Sequence, residues 1–122
     1  MIRLAIIVSH PIQYYSPLFA CLSKSEYLKI KVFYSFDPSV ITYDYGFKKN
    51  IEWDIPLLED YDYLFVKNIS KKPGSHHYFG LDNPQLIHEI EGWNPDALLV
   101  YGWKYKSHLH VLKHFKKKKP IF

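Results

Sequence analysis

Five consecutive apolar residues, Leu4-Ala5-Ile6-Ile7-Val8, constrain this chain more than any other stretch. The run is far too short for a membrane span and too continuous for a strand with one wet face. It reads as a central parallel strand, buried on both sides. The character then changes at Ser9-His10-Pro11-Ile12-Gln13-Tyr14-Tyr15, and Ser16-Pro17 offers a capping hydroxyl and a first-turn proline to a helix. Strand, polar loop, helix is the first βα turn of an open α/β sheet. Such turns open at the carboxyl ends of the strands, where these sheets bind their ligands.

The remaining chain repeats the alternation. The first strand is read at Arg3–Ser9, and the first helix at Ser16–Ser25 with Leu18, Phe19, Cys21 and Leu22 on one broad buried face. A second strand, Leu28–Phe36, sets Ile30, Val32 and Tyr34 against Lys29, Lys31 and Phe33, a pattern suited to a place nearer the sheet edge. Residues 39–62 carry no clear period, and a connection that long is functional or holds small elements of its own. A third strand at Tyr63–Asn68 and a loop at Ser70–Gly80 precede Asp82-Asn83-Pro84, which starts a helix buried through Leu86, Ile87 and Ile90. The fourth strand is Ala97–Tyr101. Gly102-Trp103-Lys104 then repeats the switch seen after the first strand, and a last helix at Ser107–Lys118 carries His108, Val111, Leu112 and Phe115 at i, i+3, i+4 and i+7. Pro120-Ile121-Phe122 reads as the start of a fifth strand.

This order predicts one α/β domain over residues 1–122: an open Rossmann-like parallel sheet with helices on both faces. No helix follows the fifth strand, so the half-sheet reads as truncated. Its unfinished edge should then leave Ile121 and Phe122 unpaired or taken up by a second copy through self-association.

Several chemistries are weakly supported. No G-x-G-x-x-G follows the first strand and no G-x-x-x-x-G-K-[ST] occurs, which argues against a dinucleotide or P-loop enzyme. His110 and His114 share a helix face but have neither the glutamate of H-E-x-x-H nor a cysteine partner, so a solvated basic face is expected and no metal. Ser9 and His10 are neighbours, yet adjacent side chains leaving a strand point apart, and no nucleophile elbow surrounds Ser9. Glu59-Asp60 reads as a solvated turn. The lysines at 116–119 favour a helix terminus over nucleic acid. The single cysteine, Cys21, reads as a small buried hydrophobe in a reducing compartment, and no signal peptide is legible, so a cytoplasmic location is expected.

The loop after the first strand is richer. His10 and Gln13 both give and take hydrogen bonds, while Tyr14 and Trp103 offer aromatic faces, a set that hydrogen-bonds and stacks on sugars. The plainer alternative is that His10 caps the strand and the tyrosines pack the helix.

The opening MIRLAIIVSHPIQY, the block Trp53-Asp54-Ile55-Pro56-Leu57-Leu58-Glu59-Asp60-Tyr61, and Asn94-Pro95-Asp96 with Tyr101-Gly102-Trp103 together resemble the N-terminal half of a family 4, GT-B type glycosyltransferase. The resemblance implies a two-domain, metal-independent, retaining enzyme of polysaccharide or glycolipid synthesis. Its N-terminal half would bind a sugar or lipid-linked acceptor. A C-terminal donor-binding domain, absent here, would hold the nucleotide-sugar and an E-x7-E motif. On that reading the acceptor cleft is lined by His10, Gln13, Tyr14, Tyr101, Gly102, Trp103 and Lys104, with Tyr43, Asp44, Gly46 and Phe47 as an acceptor loop. The chain departs from the family in lacking a glycine pair after the first strand, and in having Tyr101 where many members place a histidine. This chain alone is not expected to transfer sugar. The alternative is a non-catalytic carbohydrate- or protein-binding α/β module. Lipid-linked acceptors would bring the basic last helix to an anionic membrane surface, peripherally at the inner face.

Overall fold

The computed structural model describes residues 2–10, 15–35, 61–71, 78–102 and 104–122. Its elements are strands β1 (Ile2–Val8), β2 (Leu28–Tyr34), β3 (Tyr63–Phe65) and β4 (Ala97–Val100), with helices α1 (Ser16–Ser23), α2 (Leu86–Trp93) and α3 (Lys106–Phe115). A short 3-10 turn spans Tyr78–Gly80. The strands form one parallel sheet in the order β3-β2-β1-β4. β1 has a neighbour on each side, pairing Ile2↔Leu28 through Val8↔Tyr34 on one flank and Leu4↔Ala97 through Ile7↔Val100 on the other. This α/β, Rossmann-like arrangement is the one the unbroken run demanded.

Alternation along β1 divides the core. Ala5 and Ile7 face α2 and α3, packing with Phe33, Leu86, Ile90, Leu98, Val111 and Phe115. Ile6 and Val8 face the other way, toward α1, with Phe19, Ile30, Val32, Tyr34 and Tyr61. Helices therefore cover both faces, and Ala5, Ile6 and Ile7 are fully buried. Each fully buried Ile or Phe contributes roughly 1.5–3 kcal/mol, so β1 anchors both layers at once.

The α1 face is narrower than the sequence suggests. Phe19 is buried, but Cys21 is exposed and Leu18 is 44% exposed. Successive residues turn by about 100°, so Cys21 lies almost opposite the buried line of Phe19 and shares its side with Leu18. The expected buried cysteine is a surface thiol. Nor does Ser16 cap the helix: the N-cap is Tyr15, with no side-chain cap bond, and the Ser16 hydroxyl bonds Tyr34 instead. The Tyr34 and Tyr61 hydroxyls lie 2.6 Å apart. Burial first, and the bond to Tyr61 second, push the Tyr34 phenol well above its usual range.

Element ends also shift. β3 stops at Phe65, short of Asn68, because Asn68 turns its amide to the loop, accepting from Ser70 and Asp82 N–H and donating to the Gly80 carbonyl. Asn83 does not cap α2 with its side chain, which turns to the carbonyls beyond β2 and β3 instead. α2 ends at Asn94, whose left-handed backbone (φ 55°) suits asparagine. Pro120-Ile121-Phe122 is not left unpaired as expected. Ile121 bridges Leu98 in parallel, Leu98 N–H donates to the Pro120 carbonyl, and Phe122 N–H donates to the Leu98 carbonyl. Backbone donors and acceptors on the outer side of β4 favour that pairing over solvent.

Candidate functional site

Parallel pairing brings the turns after β1, β2, β3 and β4 to one end of the sheet. The buried polar residues among those described are Ser9, Ser16, Ser35, Asn83, Ser107 and His108. Each follows a strand or opens a helix, so all six belong to the carboxyl end. A ladder stops where a strand stops, leaving carbonyls that need donors. These side chains supply them.

His108, fully buried in the first turn of α3, is the pivot. Its Nδ1 lies 2.9 Å from the Tyr101 carbonyl and 2.8 Å from that of Gly102. Carbonyls only accept, so Nδ1 carries the proton, and the bare Nε2 accepts the Ser35 hydroxyl at 2.8 Å. Burial lowers the His108 pKa below the ordinary imidazole value, and the two carbonyls partly oppose that. One neutral imidazole thus ties the end of β2 to the end of β4. Gly102 makes the turn possible: its φ is +81°, and a Cβ there would sit 2.9 Å from the Tyr105 ring.

Asn83 ties the other strands. Its Nδ2 donates among the carbonyls of Ser35 (2.6 Å), Lys67 (3.0 Å) and Val66 (3.1 Å), and its backbone N–H donates to Ser107 Oγ at 2.7 Å. Asn83 Oδ1 is buried with no hydrogen-bond partner among the described residues. Lys106 and Asp82 pair at 3.1 Å close by, about a third exposed. A pair so exposed adds little stability.

At the mouth of this frame, Ser9 Oγ lies 2.8 Å from His10 Nδ1. The expectation that these side chains point apart fails because β1 ends at Val8 and the chain bends at Ser9-His10, so strand alternation no longer applies. The Ser9 hydroxyl also bonds the Tyr105 hydroxyl, which joins the loop after β1 to the loop after β4. Burial raises the Tyr105 pKa and the Ser9 bond opposes it. Ser9 is only 6% exposed, which suits a structural hydroxyl better than a nucleophile.

The cleft residues read from the sequence divide accordingly. His10 is half-buried, while Gly102 and Lys104 are exposed, all at this end; the Lys104 ammonium lies 5.6 Å from the Tyr105 ring centroid. Tyr101 turns its ring into the α1 layer, stacked on Tyr15 at 4.6 Å, and burial, then Tyr15, raise its pKa. Gln13, Tyr14, Trp103, Tyr43, Asp44, Gly46 and Phe47 lie outside the described residues.

Sequence reasoning missed Ser35, Asn83, Tyr105 and Ser107. A signal was present: a histidine on the apolar stripe of the last helix needs partners, and the nearest supply is the strand ends. Among the described residues no cluster of three His, Cys, Asp or Glu could hold a metal ion. The accessible described groups at this end, His10, Gly102 and Lys104, offer hydrogen-bonding and cationic chemistry. No known protein family, curated protein or solved structure matches this chain.

Proposed function

We propose that the carboxyl end of the sheet binds a hydroxyl-rich ligand, a sugar, and that the chain is the acceptor-side half of a retaining nucleotide-sugar-dependent glycosyltransferase. The observation that carries the first part is the concentration of buried polar side chains at this end, with His10, Gly102 and Lys104 at its accessible rim. A frame whose strand-end carbonyls are already satisfied is in place before a ligand arrives, so less ordering is lost on binding. His10 gives and takes hydrogen bonds near neutral pH, which suits hydroxyl groups. The second part rests on the sequence resemblance around Leu4–Tyr14 and Trp53–Tyr61. Transfer itself would need a donor-binding half on the facing wall, since both positioning and charge stabilisation come from two sides.

The test is ligand-observed NMR with mono- and oligosaccharides on the wild type and on His10→Ala. Binding that weakens ~3–10-fold in the variant, the worth of one hydrogen bond, supports the reading. Equal binding by both proteins, or none by the wild type, counts against it. In a two-domain protein with both halves, His10→Ala should cost transfer about 2–4 kcal/mol of barrier.

A further inference from the structure

The hydroxyls at the mouth of the frame form a chain with a direction. The Tyr105 side chain, 6% exposed, packs on Leu81 and makes a T-shaped contact with the His108 ring at 5.2 Å. Gly102 leaves room for that ring, where a Cβ would come within 2.9 Å of it. Packing on these sides fixes the place of the phenol hydroxyl, and it meets the Ser9 hydroxyl. Ser9 Oγ in turn lies 2.8 Å from His10 Nδ1. A serine hydroxyl has one hydrogen to give, so making both bonds in full needs one neighbour to donate into Ser9 Oγ and the other to accept from it. A phenol is more acidic than an aliphatic hydroxyl, which makes Tyr105 the donor and His10 Nδ1 the acceptor.

We propose that Tyr105 and Ser9 are positioning residues for His10, holding its ring in place and keeping the proton of its neutral form on Nε2. The bond made at one imidazole nitrogen decides what the other carries. His108, whose Nδ1 donates to the Tyr101 and Gly102 carbonyls, holds the opposite tautomer at the same end of the sheet. Neutral His10 then serves a ligand hydroxyl as a donor through Nε2–H rather than as an acceptor. That consequence rests on the sugar reading; the tautomer itself does not.

Ring-nitrogen NMR of the isotope-labelled full chain tests the tautomer without any ligand, at about pH 8, where an ordinary imidazole is neutral. In the wild type the proton is expected on Nε2 of His10 and on Nδ1 of His108. Tyr105→Phe keeps the ring and removes only the hydroxyl, while Ser9→Ala removes the link itself. Either should move the two His10 nitrogen shifts toward those of an unconstrained imidazole mixture and leave His114, paired with Glu91 in the last turn of α3, unmoved. Saccharide affinity should fall ~3–10-fold in both variants. A wild-type His10 protonated on Nδ1, or His10 shifts unchanged in both variants, overturns the proposal. So does equal movement at His114, which would mark a general loosening. Should the wild type bind no saccharide, the sugar reading fails, and the ring-nitrogen pattern alone still decides the positioning role.

Discussion

The two ends of the sheet handle polar groups in opposite ways. At the amino end, polarity lies nearer the surface: the half-buried Arg3 guanidinium lies 4.4 Å from the Trp93 ring centroid and donates to the Trp93 carbonyl, its Nε buried without a partner among the described residues, while Asp96 takes the Arg3 N–H from an exposed position. At the carboxyl end, Ser9, Ser35, Asn83, Ser107 and His108 are buried. Burying an amide or hydroxyl is unfavourable unless its bonds are made, and here the donors are satisfied by strand-end carbonyls and by one another, while Asn83 Oδ1 has no partner among the described residues. The difference teaches where rigidity has been placed. The amino end is closed by a half-buried cation and an exposed carboxylate; the carboxyl end is closed by side chains that are almost wholly buried.

The largest effect should separate these ends directly. Asn83→Ala strands the carbonyls of Ser35, Val66 and Lys67, and His108→Ala strands Ser35 and the turn at Tyr101-Gly102. Each is expected to lower the unfolding free energy by about 3–5 kcal/mol in urea titrations, against about 1 kcal/mol for Arg3→Ala. Equal losses at the two ends would break the comparison.

Acid sharpens it next. Buried His108 has a lowered pKa in the folded protein, while the unfolded chain titrates near ~6.5. Below that value the unfolded state takes up a proton that the folded state refuses. Stability from this group is therefore complete above about pH 6.5 and lost as the pH falls toward the lowered folded pKa. The slope is at most about 1.4 kcal/mol per pH unit. Thermal melts between neutral and mildly acid pH should show it, and His108→Gln, less stable overall, should show a flatter profile. A variant as acid-sensitive as the wild type would place the titration elsewhere.

The smallest effect lies away from both ends. Cys21 is exposed on α1, so Cys21→Ser should change stability by less than about 0.5 kcal/mol. A thiol reagent should label Cys21 in the native protein. Labelling only after denaturation would return it to the core.

Much of the fold was legible because hydrophobic continuity reports burial directly. Leu4–Val8 could only be covered on both faces, and the repeats of strand, turn and helix implied a parallel sheet. What escaped depends on information that period and propensity do not hold. Leu18 and Cys21 are apolar enough for a core, but an eight-residue helix lying on a sheet buries a narrower stripe than its composition allows. Ser16 and Asn83 sit where caps are expected, yet tertiary partners, Tyr34 and three strand-end carbonyls, outcompete the local helix bond. The Ser9–His10 contact follows from where β1 stops, and element ends are the weakest part of any reading from sequence. The rim of the candidate site was named in part, at His10, Gly102 and Lys104. Its buried frame was not, since Ser35, Asn83 and His108 meet only after folding.

The most direct test of the central claim is amide chemical-shift mapping of the chain titrated with a panel of oligosaccharides. The account predicts shifts at His10, Gly102, Lys104 and Tyr105, with Arg3, Trp93 and Asp96 at the other end unmoved. Shifts centred on the amino end, or none at the carboxyl end with any sugar, would contradict it.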